Sequence, residues 1–248
     1  MWDSSNFNNA QQLPQILFYN ECIMISFQNV SMQFPMGNAA LRNVSFEIKE
    51  NEFVFLVGPS GAGKTTILKL ILKQLTPSAG TILVNNMEIT SPDFNQTEDL
   101  RRMMGVVFQD FKILSDKNVF ENIAMSLRIQ SVSRSQIESE VQEALDLVGL
   151  KHKEQAFPAQ MSAGELQRIA IARAIVGNRD IIVADEPTGN LDPKTSWEIM
   201  KIFKKLEGKK TILFATHNSD IVNGMRKRVF VMKEGELKKD IKKGGYDL

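Results

Sequence analysis

At 248 residues with a formal net charge of +1, the chain is long enough to bury one substantial core and has no excess of basic charge that would point to nucleic acid. Its single cysteine, Cys22, excludes an internal disulfide and suits a reducing compartment. No uncharged apolar run reaches the roughly 18 to 20 residues of a membrane span, so a role at a membrane would have to come through a partner.

Residues 1–23 are rich in Asn and Gln, poor in charge and without periodicity, and they lack the basic n-region of a signal peptide. They read as an irregular or disordered extension. Met24-Ile25-Ser26-Phe27 opens an ordered-looking strand, which makes Met24 a candidate initiator. An intact mass that includes Met1 would overturn that expectation. The segments ISFQNVSMQF and ALRNVSFEI alternate apolar and polar residues on either side of a turn at 35–38, which predicts an antiparallel sheet. Phe34 stands where the turn begins. Its ring can offer a face to a base or simply pack at a strand end, and the sequence does not choose.

Residues 53–57, FVFLV, are all apolar and predict a fully buried strand. They run into Gly58, Pro59-Ser60-Gly61-Ala62-Gly63, Lys64 and Thr65, which satisfies G-x-x-x-x-G-K-[ST] at every position, and then into an apolar helical run. A phosphate chain needs a tight concavity of backbone N–H groups at a helix N-terminus, and glycines permit it because they lack a Cβ. Lys64 would set its ammonium against the β- and γ-phosphates, and the Thr65 hydroxyl would ligate Mg²⁺. A Gly-rich turn is the plain alternative, but the strand before it and the helix after it favour the phosphate loop.

Residues 80–84 read as a strand with a turn at Asn85-Asn86, followed by a polar connection over 90–98. Residues 105–108 form a short buried strand that delivers Gln109 to its carboxyl end, where ligands gather in open α/β sheets. Gln109 there either reaches toward metal or water or caps its loop. Residues 118–150 are helical, with Val119, Ile123 and Leu127 on one face and Ile137, Val141, Leu145 and Val148 on another, and Gly149 marks a helix end. These stripes read as core, and His152 as a solvated loop residue.

Ser162 with Glu165 three residues on is a capping box opening the helix LQRIAIARAIV, yet a helix N-terminus is also an anion site. Local sequence leaves both readings open. Residues 180–184 form a buried strand ending in Asp185 and Glu186. Two acids at a buried sheet edge are costly unless something uses them. A lone pair of this kind is commonly a loop acid or helix cap, but after a P-loop in the same sheet the catalytic reading is favoured: Asp185 can bind Mg²⁺ and Glu186 can take a proton from an attacking water. Residues 187–193 are a turn-rich loop. Residues 211–215 are one more buried strand ending in Thr216-His217, where His217 either contacts a γ-phosphate or is a core or capping histidine. Residues 228–240 predict a hairpin turning at Glu234-Gly235, with Lys238, Lys239, Lys242 and Lys243 as a solvated face.

Taken together, the order of GPSGAGKTT, FQD, MSAGELQR, IIVADE, GNLD and ATH resembles the Walker A, Q-loop, signature, Walker B, D-loop and H-loop of the ATP-binding cassette ATPases, from about residue 24 onward. Within them the chain most resembles the FtsE family of bacterial cell-division ATPases, on FQDFKIL, ADEPTGNLD and the run Thr216-His217-Asn218 to Val229, with the tail Gly244-Gly245-Tyr246 also similar. ADEPTGNLD is shared with lipoprotein-releasing and macrolide-exporting relatives.

The resemblance implies an α/β P-loop NTPase (RecA-like) core with an antiparallel β subdomain and a helical subdomain at about 115–165. It implies ATP and Mg²⁺, an FtsX-like integral membrane protein as partner, and a cytoplasmic location at the inner face of the membrane. It also implies a head-to-tail homodimer in which each ATP lies between one copy's P-loop and the other's signature helix. Phe34 would stack on adenine. Gly58, Pro59, Ser60, Gly61, Ala62, Gly63, Lys64, Thr65 and Thr66 would hold the phosphates, with Ser162, Gly164 and Asp192 completing the site. Thr65, Gln109 and Asp185 would serve the metal, with Glu186 as base and His217 as switch. Three departures stand out: Met161, Ala163 and Leu166, of which Ala163 replaces a glycine where backbones approach closely. An ATP-gated scaffold with negligible turnover, or an exporter ATPase, are the competing readings.

Overall fold

The computed structural model describes residues 22–35, 37, 39–177 and 179–244. The expected N-terminal extension lies outside them except for Cys22, which is exposed, and Ile23, which already belongs to the first strand. Met36 and Asn38 of the expected turn, and 245–248 of the tail, also lie outside.

Strands β1 (Ile23–Gln33) and β2 (Ala39–Lys49) pair antiparallel. β3 (Phe53–Val57) then leads through the glycine loop into α1 (Lys64–Ile71). β4 (Ala79–Val84) turns back into the short β5 (Met87–Glu88), and α2 (Thr97–Arg102) precedes β6 (Met104–Val107). Helix α2 occupies the end of the expected polar connection. Its six residues carry no apolar stripe, and only Leu100 is buried.

Two longer helices come next, α3 (Val119–Ile129) and α4 (Arg134–Val148), the second closed by Gly149 in the left-handed region. Then come α5 (Ala163–Ile175), β7 (Ile181–Asp185), α6 (Pro193–Leu206), β8 (Thr211–Thr216), α7 (Ser219–Met225) and the hairpin β9 (Arg228–Lys233) and β10 (Glu236–Ile241).

The strands form a four-stranded antiparallel sheet, β2-β1-β4-β5, and a six-stranded sheet, β10-β9-β3-β8-β7-β6. The second is parallel except for the edge strand β10. Residue by residue, β3 shows why it is wholly apolar: Phe53, Phe55 and Val57 join the core shared with α3 to α6, while Val54 and Leu56 join the core under the antiparallel sheet and α1. Phe53, Phe55, Phe203 and Phe214 stack and abut edge-on in the first of these cores. At Gly105 a Cβ would stand 1.8 Å from the Ala174 carbonyl oxygen, so only glycine lets β6 lie this close to α5.

Arg228 ties the C-terminal hairpin to the rest. Its guanidinium donates to Asp240 Oδ1 at 2.8 Å and Oδ2 at 2.7 Å, to Glu52 at 3.0 Å, and to the Glu47 carbonyl at 3.0 Å, and it lies over the Phe230 ring. These partners, the Asp240 carboxylate foremost, raise its pKa beyond the ordinary arginine range. Arg228→Met should lower stability by about 1–2 kcal/mol, the worth of hydrogen bonds to charged groups at a half-buried site. Chemical denaturation of the two proteins side by side checks this, and an unchanged midpoint would refute it.

Candidate nucleotide-binding site

Parallel strands β3, β8, β7 and β6 are neighbours in that order, so their carboxyl ends lie side by side. They deliver the glycine loop, His217, Asp185 with Glu186, and Gln109 to one edge of the sheet. A cavity of about 860 Å³ opens there, lined by Phe34, residues 59–66, Gln109, Asp185, Glu186 and His217 together with Ala39 and Ala40. Gly58 stands just behind, where a Cβ would meet the Met232 carbonyl at 2.2 Å.

The start of α1 suits an anion. Gly63 caps it in the left-handed region, no side chain caps its first amides, and its first turn holds no acidic residue. Those donors are thus unclaimed by any carboxylate and carry the positive end of the helix dipole. Lys64 is buried, and its ammonium donates to the Gly58 carbonyl at 2.7 Å and lies 3.7 Å from Glu186 Oε1.

Thr65 Oγ1 donates to Asp185 Oδ2 at 3.1 Å. Burial raises the Asp185 pKa, the adjacent Glu186 charge adds to this, and the Thr65 hydrogen bond with Lys64 and Lys69 reverses it only in part. A hydroxyl and a partly buried carboxylate form an oxygen pair that suits Mg²⁺. Among the described residues no group of three or more His, Cys, Asp or Glu could hold a metal ion. Magnesium would therefore depend on Thr65, Asp185 and the oxygens of a phosphate ligand.

Glu186 has a positive φ of 47°, a region uncommon for a residue with a Cβ. It accepts from the His217 amide at 3.3 Å, and His217 Nδ1 lies 2.9 Å from its Oε1. A carboxylate can only accept, so the ring nitrogen is the donor. Base and histidine candidates are thus one hydrogen-bonded unit. Gln109 Nε2 donates to Asn190 Oδ1 at 3.2 Å while Asn190 Nδ2 donates to the Gln109 carbonyl at 3.1 Å. Asn190 is a partner that sequence reasoning passed over, although it stands inside the GNLD run.

Ser162, Gly164 and Asp192 do not line this cavity. The Ser162–Glu165 capping box is formed, with Ser162 Oγ accepting from the Glu165 amide at 3.3 Å. Lys153, bonded to the Glu165 carboxylate, is the main reason that its pKa lies below the ordinary value. Asp192 caps α6 by accepting from the Thr195 amide and hydroxyl. Gly164 faces the same Thr195, whose Cγ2 would stand 2.5 Å from an added Cβ. Ser162, Ala163 and Asp192 therefore lie exposed away from the cavity, with Gly164 buried against Thr195.

A phosphate loop at the carboxyl edge of a parallel sheet, beside an acid pair and a histidine, defines a P-loop nucleotide-binding protein. The family model described as ABC transporter matches residues 41–189, and the chain belongs to that family. Cell division ATP-binding protein FtsE of Bacillus subtilis (strain 168) is 46% identical over 224 residues, covering 90% of this chain and 98% of its own. The dimeric structure of MJ0796, a bacterial ABC transporter cassette, superposes with a TM-score of 0.79 at 34% identity, covering 90% of this chain and 100% of that one. A dimeric post-hydrolysis state of the same cassette bound to ADP and Pi gives 0.77 at 32% identity, with the same coverage. The α/β cassette fold expected from sequence is the fold found.

Proposed function

We propose that the chain is the ATP-binding and ATP-hydrolysing subunit of an FtsEX-like complex, in which nucleotide-driven dimer closure drives an FtsX-like membrane protein in bacterial cell division and control of cell-wall hydrolysis. One observation carries the reading: the P-loop, acids and histidine line one cavity, whereas Ser162 and Asp192, which the family resemblance assigns to the same kind of site, are exposed outside it, with Gly164 buried against Thr195. Each set is half a site, and a head-to-tail pair of copies would join them. Relatives named FtsE, and a cassette seen as a dimer with ADP and Pi, support it.

In this reading Phe34 stacks on the base, the first amides of α1 and Lys64 hold the phosphates, and Ser162 and Gly164 of a second copy close over them. Thr65 and Asp185 hold Mg²⁺, which neutralises developing phosphate charge when bound. Glu186 takes the proton of the attacking water, and His217 fixes its carboxylate through the Nδ1–Oε1 hydrogen bond. Binding energy of ATP for the joined form shifts copies toward the dimer, and loss of the γ-phosphate releases it. Among the described residues no helix is long and apolar enough to cross a membrane. The proposed place, cytoplasmic at the inner face of the membrane, rests on the partner.

The test is steady-state ATP hydrolysis by the chain reconstituted with its membrane partner in liposomes. Turnover that requires Mg²⁺ and stops on chelation is expected. Tight ATP binding with no turnover above background would overturn the ATPase reading in favour of an ATP-gated scaffold.

A further inference from the structure

Between Gln109 and the helical lobe the chain makes a turn in which two adjacent residues with side chains, Phe111 (φ 58°) and Lys112 (φ 49°), are left-handed. Glycine reaches that region freely, whereas Phe and Lys are strained in it, so such a pair persists only where its surroundings over-determine it. Arg173, in the last turn of α5, supplies that constraint. Its Nη1 donates to the Lys112 carbonyl at 2.6 Å and its Nη2 to the Phe111 carbonyl at 2.9 Å. A planar guanidinium grips both carbonyls at once, which a single ammonium on a flexible stem does not. The group is partly buried, and that burial lowers its pKa.

Both ends of the turn are tied as well. Upstream stands the reciprocal Gln109–Asn190 pair. Downstream, fully buried Asn122 accepts from the Leu114 amide at 2.9 Å and donates to the Leu114 carbonyl at 3.0 Å. Between these anchors lies the left-handed pair, tied within the turn by the Lys112–Asp110 ion pair and from outside it by Arg173. None of the bonds that Arg173 makes here reaches a residue of the cavity lining.

We infer that Arg173 is a positioning residue for hydrolysis: from the far end of the helix that Ser162 opens, it holds the 111–112 turn left-handed and so, together with the Gln109–Asn190 pair, fixes where Gln109 stands in the cavity. The consequence is a mechanical tie between the signature helix and the Q-loop of the same copy. This inference rests on the proposed ATPase activity.

The experiment compares Arg173→Lys and Arg173→Ala in the natural background and in a Phe111→Gly/Lys112→Gly background, using the complex with its membrane partner. Arg173→Lys, which keeps the charge and the fold should Arg173→Ala fail to fold, is expected to lower kcat about tenfold with the KM for ATP moved less than about twofold. In the glycine background the same substitution should cost less than about twofold, because glycine reaches the left-handed region without the steric cost that the fork offsets. Equal losses in the two backgrounds, or no loss in either, would overturn the inference.

Hydrogen exchange without nucleotide gives an arm independent of turnover. The Lys112 amide, which donates to the Asp110 carbonyl at 2.6 Å, and the Leu114 amide should exchange faster in Arg173→Lys. Unchanged exchange would overturn the inference even if activity fell. Absence of turnover in the unsubstituted complex would sink the ATPase reading itself, and is read before any variant is made.

Discussion

Glu186→Gln is expected to lower ATP turnover by about 10²–10⁴-fold, the range spanned by a positioned general base, while ATP binding is retained. The amide has the shape of the carboxylate but cannot take a proton. It can still accept from the His217 amide, which sits 3.3 Å from Glu186 Oε2. The side chain is held from two directions, by His217 and by the Lys64 ammonium 3.7 Å away, and the left-handed backbone at Glu186 aims it into the cavity. Removing its charge leaves the P-loop amides and Thr65 in place, so the loss should fall on kcat. Light scattering with ATP and Mg²⁺ should then show a lasting dimer, because the step that empties the joined sites is blocked. Turnover above about a tenth of the parent's would place the base elsewhere, and a monomer with ATP bound would contradict closure by nucleotide.

Most of what made this site legible is a property of single segments. A strand buried on both faces must be apolar throughout, and Phe53–Val57 is; the loop after it has the glycines and lysine that a phosphate cradle requires. Asp185, Glu186, Gln109 and His217 were each visible as polar residues at the end of an apolar run. Their gathering into one cavity was not, because it depends on the strand order β3-β8-β7-β6, which no local pattern encodes.

The contacts that sequence reasoning missed are long-range and chemically ordinary. Asn190 meets Gln109 across 81 residues, and Arg173 meets the Phe111 carbonyl across 62. Neither residue type at its position differs from a surface choice. Left-handed Phe111 and Lys112 were equally invisible, since that conformation favours Gly and Asn and neither is present. Ser162 shows the opposite limit: cap and anion site use the same amides, and the structure has the capping box formed with Ser162 exposed, which leaves both readings compatible with it.

Gly164→Ala is expected to separate what this glycine does for its own chain from what it does for a partner copy. The added Cβ would meet Thr195 Cγ2 at 2.5 Å, and Thr195 cannot simply swing away because its hydroxyl and amide both bond Asp192. Overpacking at such a contact costs about 1–3 kcal/mol, or roughly 2–10 °C in Tm for a chain of this size. Thr195→Ser removes the offending methyl and keeps the hydroxyl, so the double variant Gly164→Ala/Thr195→Ser should regain most of that stability. Turnover should not return. Alanine keeps the backbone N–H and its methyl is directed at Thr195, so the loss comes from displacement of that N–H relative to a phosphate held by another copy, and misplacing an oriented backbone donor at developing charge costs up to about a hundredfold. Full recovery of ATPase activity in the double variant would mean that glycine is needed there only to clear Thr195, and that this helix end takes no part in hydrolysis. Persistent loss with restored stability is the result expected of half a site completed by another chain.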